Sequence, residues 1–180
     1  MEEYKEKEKK ILAVDPIFFE ENMKKIGAVK VYDGIRDIIT FDTPDFQLRA
    51  KGKDIRITEE EKIKLSCDIR KKIGSGNEYG IKVFVSRTKE MIAILAELDL
   101  VPVAKCSTPR VSYKWEGVDF DLDTFAEIDP FLEIDLGESN KSLNEVLDLI
   151  ELTKHQIVEM STQEVYKYYG KDYFEVFKIK

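Results

Sequence analysis

Apolar and polar residues alternate strictly along five stretches of the chain, and a period of two marks strands with one apolar face. In Lys62 to Arg70, the residues Ile63, Leu65, Cys67 and Ile69 share a face, and Lys62, Lys64, Ser66, Asp68 and Arg70 share the other. Asp54 to Thr58 sets Ile55 and Ile57 against Asp54, Arg56 and Thr58. Val118 to Asp123 sets Val118, Phe120 and Leu122 against Asp119, Asp121 and Asp123. In Phe131 to Leu136, Leu132, Ile134 and Leu136 oppose Glu133 and Asp135. In Glu78 to Val85, Tyr79, Ile81, Val83 and Val85 oppose Glu78, Gly80, Lys82 and Phe84.

Helical spacing takes over elsewhere. Asp15-Pro16 opens a helix carrying Ile17, Phe18, Met23 and Ile26, and Gly27 ends it. A second runs from about Ser86 to Leu98 with Met91, Ile92, Leu95 and Leu98, and a third from about Ser142 to Leu152 with Leu143, Val146, Leu147 and Ile150. A fourth begins at Ser161, where Ser161 and Glu164 have capping-box spacing. No low-complexity linker interrupts the sequence, so residues 1–180 read as one domain of the α+β class, with a largely antiparallel sheet of six to eight strands. The aromatic tail (Tyr166, Tyr168, Tyr169, Tyr173, Phe174, Phe177) and Trp115 read first as core, with an interface or a lid as the other readings.

The polar strand faces carry charges of both signs. An open sheet with helices on one side would turn them to water. A sheet closed on itself would gather them into a wet bore, and about eight strands enclose room for one small ligand. A bare ion in a low-dielectric interior costs ~20 kcal/mol in the idealised limit, so such a bore calls for water, a metal or a charged ligand. The alternation fits both arrangements.

Composition narrows the chemistry. Thirty-six acids against 29 bases give a net charge of −7, which argues against a general nucleic-acid binder. No stretch of about 18 uncharged apolar residues is present, and Met1 to Lys10 is a charge run rather than a secretory leader. Cys67 and Cys106 read as reduced thiols of a cytoplasmic protein. The sequence has no C-x-x-C, P-loop, G-x-G-x-x-G or G-x-S-x-G, and its one histidine, His155, lies in a polar context that suits a surface position. Catalysis, where present, falls to carboxylates, lysines and arginines.

The opening run places Glu6, Glu8 and Lys10 on one face as E-x-E-x-K, followed by the Asp-Pro helix. This resembles the CYTH family, the triphosphate tunnel enzymes that include class IV adenylyl cyclases, thiamine triphosphatases and inorganic triphosphatases. The likeness continues in order. Phe41-Asp42-Thr43-Pro44-Asp45 is similar to the family's Y-F-D-T-P-D, followed by Leu48 and Gly52, and Asp54-Ile55-Arg56-Ile57 to its A-L-R-I-R strand. Arg110 fits the arginine of K-x-R, with Tyr113 beyond it, and Leu122-Asp123 with Pro130 to Asp135 resembles its L-D and G-x-F-x-E-I-E segments.

The resemblance implies a closed, eight-stranded, mostly antiparallel tunnel with helices outside, an acidic cluster for Mg²⁺ or Mn²⁺ and a basic cluster for a triphosphate. It carries the metal role to Glu6, Glu8, Asp123, Glu133 and Asp135, and Asp121 joins them because it shares Asp123's face. It carries the phosphate and catalytic roles to Lys10, Arg56 and Arg110. Hard divalent cations take carboxylate oxygens, and arginine's planar fork meets phosphate oxygens in pairs. The expected partner is a small-molecule triphosphate or nucleotide, not nucleic acid or membrane, with a homodimer as the candidate assembly.

The departures from the family pattern fall on the phosphate side. Thr58 replaces the second arginine of R-x-R, Asp68 the lysine of L-T-x-K, and Thr108 the lysine of K-x-R. Gly80 and Phe84 stand in a strand often rich in glutamate, Thr40 at an aromatic and Thr162 at a tyrosine. Lys62, Lys64 and Lys82 are the substitute substrate-binding cations, with Arg36 near the second strand. Three lost charged hydrogen bonds amount to roughly 5–9 kcal/mol. Three functions therefore stay open: a metal-dependent phosphohydrolase, a class IV adenylyl cyclase, and a tunnel that binds polyphosphate or nucleotide without turnover.

Overall fold

The computed structural model describes residues 4–5, 8–60, 64–72, 78–137 and 139–179. The strands run in the hydrogen-bonded order β1 (Tyr4–Lys5), β6 (Glu78–Phe84), β5 (Lys64–Lys72), β4 (Lys53–Glu60), β3 (Val29–Asp42), β7 (Val101–Trp115), β8 (Val118–Asp123), β9 (Phe131–Asp135), β2 (Lys9–Ile11) and β10 (Ile157–Val158). The helices are α1 (Pro16–Lys25), α2 (Gln47–Ala50), α3 (Thr88–Glu97), α4 (Leu143–Leu149), α5 (Thr162–Tyr168) and α6 (Tyr173–Val176). The α+β class and the antiparallel sheet hold. The closed eight-stranded barrel does not: among the described residues the ladder has ten strands, and its two ends are not hydrogen-bonded to each other. At one end of that order β10 occupies the outer edge of β2, and at the other β1 pairs only with β6 among the described residues. Tyr4 and Lys5 pair with Gly80 and Tyr79, whereas Lys9 to Ile11 pair with β9, and β10 takes the outer edge of β2.

The chain packs as two compact units, one made of Ile35–Ser107 and Thr162–Lys180 with the first residues, the other of Lys7–Gly34 and Thr108–Ser161. In the second unit, β8 and β9 pair residue for residue. Their apolar alternates Phe120, Leu122, Leu132 and Ile134 form a core with Ile11, Phe19, Met23, Val146, Leu147 and Ile150. The polar alternates of the same strands are thereby fixed on the opposite face.

Helix α1 starts where Asp15 accepts the backbone N–H groups of Ile17 (2.8 Å) and Phe18 (3.0 Å), with Pro16 at its first position. Phe19, Asn22 and Met23 are buried and Phe18 and Ile26 pack against the core as their spacing predicts, whereas Ile17 is exposed. The buried Asn22 side-chain amide donates to the Ile150 carbonyl (3.0 Å) and ties α1 to the end of α4. A capping box forms at Ser142 and Glu145, where α4 begins. Val146, Leu147 and Ile150 are buried and Leu143 packs beside them, as their spacing predicts.

The first unit has a smaller core of Phe41, Ile57, Cys67, Leu95 and Leu100. Two sequence expectations fail here. Leu98 is exposed at the end of α3, and in β6 the expected inner residues Ile81 and Val83 are exposed together with Phe84. On the β1 side, β6 is paired only at Tyr79 and Gly80, so the rest of that edge has no neighbouring strand among the described residues. Much of the aromatic tail is core: Tyr166, Tyr173 and Phe174 are buried, and Tyr166 meets Tyr173 edge to face at 5.5 Å, while Tyr168 is exposed. Both cysteines are buried free thiols.

Candidate functional site

Register assembles the site in the second unit. Lys10 lies opposite Glu133, Glu133 opposite Asp121, and Asp121 opposite Ser112, a polar row across β2, β9, β8 and β7. Arg110 lies opposite Asp123 in the neighbouring position. Cross-strand partners on one face stand within side-chain reach, so alternation alone brings residues far apart in sequence into contact.

Arg110 is the hub. Its Nε donates to Asp123 Oδ1 at 2.7 Å, one Nη to the other Asp123 oxygen and to Glu133 Oε2 at 2.8 Å, and the second Nη to Asp121. Burial works against the guanidinium charge, but Asp123, then Asp121 and Glu133, outweigh it and hold the pKa well above the ordinary arginine value. Lys10 Nζ lies 3.0 Å from Glu133 Oε1 and 4.0 Å from Glu8. Asp121 behaves differently. Burial raises its pKa, Glu133 and Asp123 add to the rise, and Arg110 and a Ser112 hydrogen bond only partly offset it.

The donor set suits a divalent cation. Glu8, Asp121, Asp123 and Glu133 gather around Lys10 and Arg110. All the donors are hard carboxylate oxygens, as Mg²⁺ and Mn²⁺ require. No three histidine, cysteine or acidic residues among those described already stand in an ion-holding arrangement. The guanidinium of Arg110 hydrogen-bonds all three acids and keeps them spaced around itself. Asp135 is turned to the following bend, where it accepts the Gly137 N–H at 2.9 Å.

Sequence reasoning found Lys10, Arg110, Asp121, Asp123, Glu133 and Glu8, and the structure brings them together. It missed Ser112, although the alternation through Arg110 puts both residues on one face of β7. Glu6 and Lys62, and the side chain of Lys64, lie outside the described residues. Thr108 is fully buried, with its hydroxyl 3.4 Å from the Pro109 carbonyl.

Arg56 and Lys82 belong to the first unit, in a row that runs Thr40, Arg56, Asp68, Lys82 across β3 to β6. Asp68 is buried and accepts from Arg56 (3.3 Å) and Arg70 (2.8 Å). Burial opposes its charge, but the two guanidiniums prevail and keep its carboxyl below the usual value. An acid thus stands where the family pattern has a lysine, and Arg70, two residues along the same face, is its second partner. Lys82 is exposed, and Arg36 lies opposite Glu60.

Solved structures share this fold. A Vibrio parahaemolyticus protein proposed to be an adenylate cyclase aligns with a TM-score of 0.75 and 12% identity over 93% of this chain and 99% of its own. A Pyrococcus horikoshii protein aligns at 0.67 and 22% identity over 92% and 99%. A Hippeastrum protein described as having a dominant triphosphatase activity aligns at 0.65 and 12% identity over 94% and 97%. No curated protein sequence matches the chain. The CYTH domain model matches residues 5–169, and the chain belongs to the CYTH family.

Proposed function

We infer that the protein is a divalent-metal-dependent enzyme acting on triphosphate-containing substrates, most simply a phosphohydrolase of tripolyphosphate, thiamine triphosphate or a nucleoside triphosphate. The observation that carries this reading is the Arg110 hub: a buried guanidinium shared by Asp121, Asp123 and Glu133, with Lys10 beside it. Such a cluster is costly to bury for structure alone, since desolvation of paired charges offsets most of their attraction. Its carboxylates suit a cation, and its two basic groups suit phosphate oxygens.

Glu8, Asp121, Asp123 and Glu133 would hold Mg²⁺ or Mn²⁺, which when bound neutralises phosphate charge and polarises a phosphoryl oxygen. Arg110, once its carboxylates are engaged elsewhere, presents a planar fork to phosphate oxygens. Lys10 supplies a point charge, and both groups stabilise negative charge that builds up in the transition state. Water as nucleophile gives hydrolysis. The 3′-hydroxyl of ATP attacking the α-phosphorus would give cyclic AMP and pyrophosphate, the class IV cyclase alternative. Hydrolysis is preferred because it needs no nucleotide-positioning pocket, and the Hippeastrum protein of this fold shows triphosphatase activity.

Phosphate-release assays with tripolyphosphate, thiamine triphosphate and ATP under Mg²⁺ and Mn²⁺, run beside a cyclic-AMP assay, test the assignment. Metal-dependent phosphate release supports hydrolysis, cyclic AMP supports the cyclase, and flat baselines in all of them reject an enzyme. A second reading, a tunnel that binds its anion without turnover, is favoured by Asp68, a buried acid that pairs with the Arg56 and Arg70 guanidiniums. Micromolar binding of tripolyphosphate with Mg²⁺ but no product would establish it, and Asp68→Lys should then tighten binding.

A further inference from the structure

Three successive rungs of the β7–β8 ladder set a polar side chain of β7 opposite an aspartate of β8: Arg110 opposite Asp123, Ser112 opposite Asp121, and Lys114 opposite Asp119. The two flanking rungs are ion pairs. Arg110 closes on both oxygens of Asp123, and Lys114 Nζ lies 2.8 Å from Asp119 Oδ1. In the middle rung the β7 partner is neutral. Ser112 is buried, with 9% of its surface exposed, and its hydroxyl donates to the Asp121 carboxylate, which also accepts one Nη of Arg110 from the neighbouring rung. On its β9 side Asp121 lies opposite Glu133, a second acid.

A cation and a hydroxyl act differently on an acid. A lysine or arginine holds a carboxylate and cancels its charge, as on the flanking rungs, whereas a hydroxyl holds it and leaves the charge in place. The Arg110 contact to Asp121 is shared, because the same guanidinium serves Asp123 and Glu133. It is also the group that presents its fork to phosphate when substrate arrives. Ser112 is then the donor that stays on Asp121, on a short side chain fixed by the strand pairing.

We propose that Ser112 is a positioning residue for the divalent cation, a role that rests on the metal-dependent reading above: acting through Asp121, its hydroxyl holds a still-charged carboxylate in place for the metal. Outer partners of this kind orient a metal-binding carboxylate, and removing one costs about 10–100-fold in metal affinity.

The test is a Mn²⁺ titration of the full chain without substrate, followed by the electron paramagnetic resonance signal of free Mn²⁺. Ser112→Ala should raise the Mn²⁺ dissociation constant about 10–100-fold, and Ser112→Thr, which keeps the hydroxyl, should return it to near the wild-type value. Asp121→Asn and the double variant Ser112→Ala/Asp121→Asn should share one constant, because a residue that acts through Asp121 has nothing to act on once that charge is gone. Tripolyphosphate turnover by Ser112→Ala should fall at low Mn²⁺ and recover to near the wild-type kcat at saturating Mn²⁺, a recovery that a merely structural defect would not give. An unchanged Mn²⁺ constant in Ser112→Ala beside a wild type that binds the ion, a further weakening in the double variant, or a kcat deficit that persists at saturating Mn²⁺ would each overturn the role of Ser112 and leave the metal-dependent reading standing. A wild type that binds no Mn²⁺ would overturn both.

Discussion

Arg110 and Asp123 face each other across β7 and β8 in a two-point contact, the arginine fork closing on both carboxylate oxygens of a fully buried aspartate. A lysine at position 110 keeps the charge and loses the fork, so it cannot serve Asp121, Asp123 and Glu133 at once. Arg110→Lys should lower triphosphate turnover by about 10²–10³-fold, the usual cost of removing a preorganised donor. Arg110→Ala, which strands three acids around one deleted charge, should in addition cost roughly 3–5 kcal/mol of stability. Paired turnover and thermal-denaturation measurements check both. A lysine variant with native turnover would remove Arg110 from the chemistry.

Asp121 is held on the opposite side of the balance. Burial first, then the neighbouring Glu133 and Asp123, raise its pKa above the unfolded value of 3.8. A carboxyl with a raised folded pKa binds protons more readily when folded, so its contribution to stability is best at low pH and declines as pH climbs through the folded pKa. Asp121→Asn should therefore stabilise the metal-free protein at neutral pH by up to about 1 kcal/mol, and at the same time weaken Mg²⁺ binding and turnover, a trade commonly found at functional sites. Thermal denaturation in EDTA and calorimetric Mg²⁺ titration read the two effects. A fall in both would show that Asp121 is chiefly a structural partner of Arg110.

The acidic half of the site was legible in the sequence because alternation in β8 and β9 maps directly onto faces, and the antiparallel register then carries Glu133 to Lys10 and Asp121 to Ser112. Two kinds of fact were not legible. Edge pairing is one: nothing in the sequence shows that β10 takes the outer edge of β2. Burial of alternating residues is the other. The pattern of β6 equals that of β5, yet Ile81 and Val83 are exposed, because a strand's apolar face is buried only where another layer covers it. Asn22 shows the same limit in α1, where a polar side chain is buried beside Met23 and bonds the Ile150 carbonyl, while Ile17, apolar, is exposed.

Asp68 yields a pH prediction opposite in sign to that of Asp121. Although burial opposes its ionisation, Arg56 and Arg70 hold its pKa below 3.8, so its stabilising contribution is fully present above pH 3.8 and is lost as pH falls through the lower folded pKa. Asp68→Asn should destabilise the protein at neutral pH by roughly 2 kcal/mol, a fall in Tm of about 4–8 °C. The difference from wild type should shrink below pH 4. Denaturant midpoints between pH 3 and 7 provide the measurement, and a difference independent of pH would show that shape rather than charge matters at this position.

Lys10 and Glu133 invite a charge exchange. They are direct cross-strand partners 3.0 Å apart, with the lysine buried. A double-mutant cycle through Lys10→Met and Glu133→Gln should show a coupling of about 1–3 kcal/mol in stability, as expected for contacting charges with little access to water. The swapped variant Lys10→Glu/Glu133→Lys restores an ion pair between β2 and β9 but places a cation beside Arg110 and an acid where phosphate should arrive. Its stability should exceed that of either single charge reversal, while turnover stays at least 10²-fold below wild type. If turnover returned together with stability, the pair would be a structural clasp and the catalytic role given to Lys10 would fall.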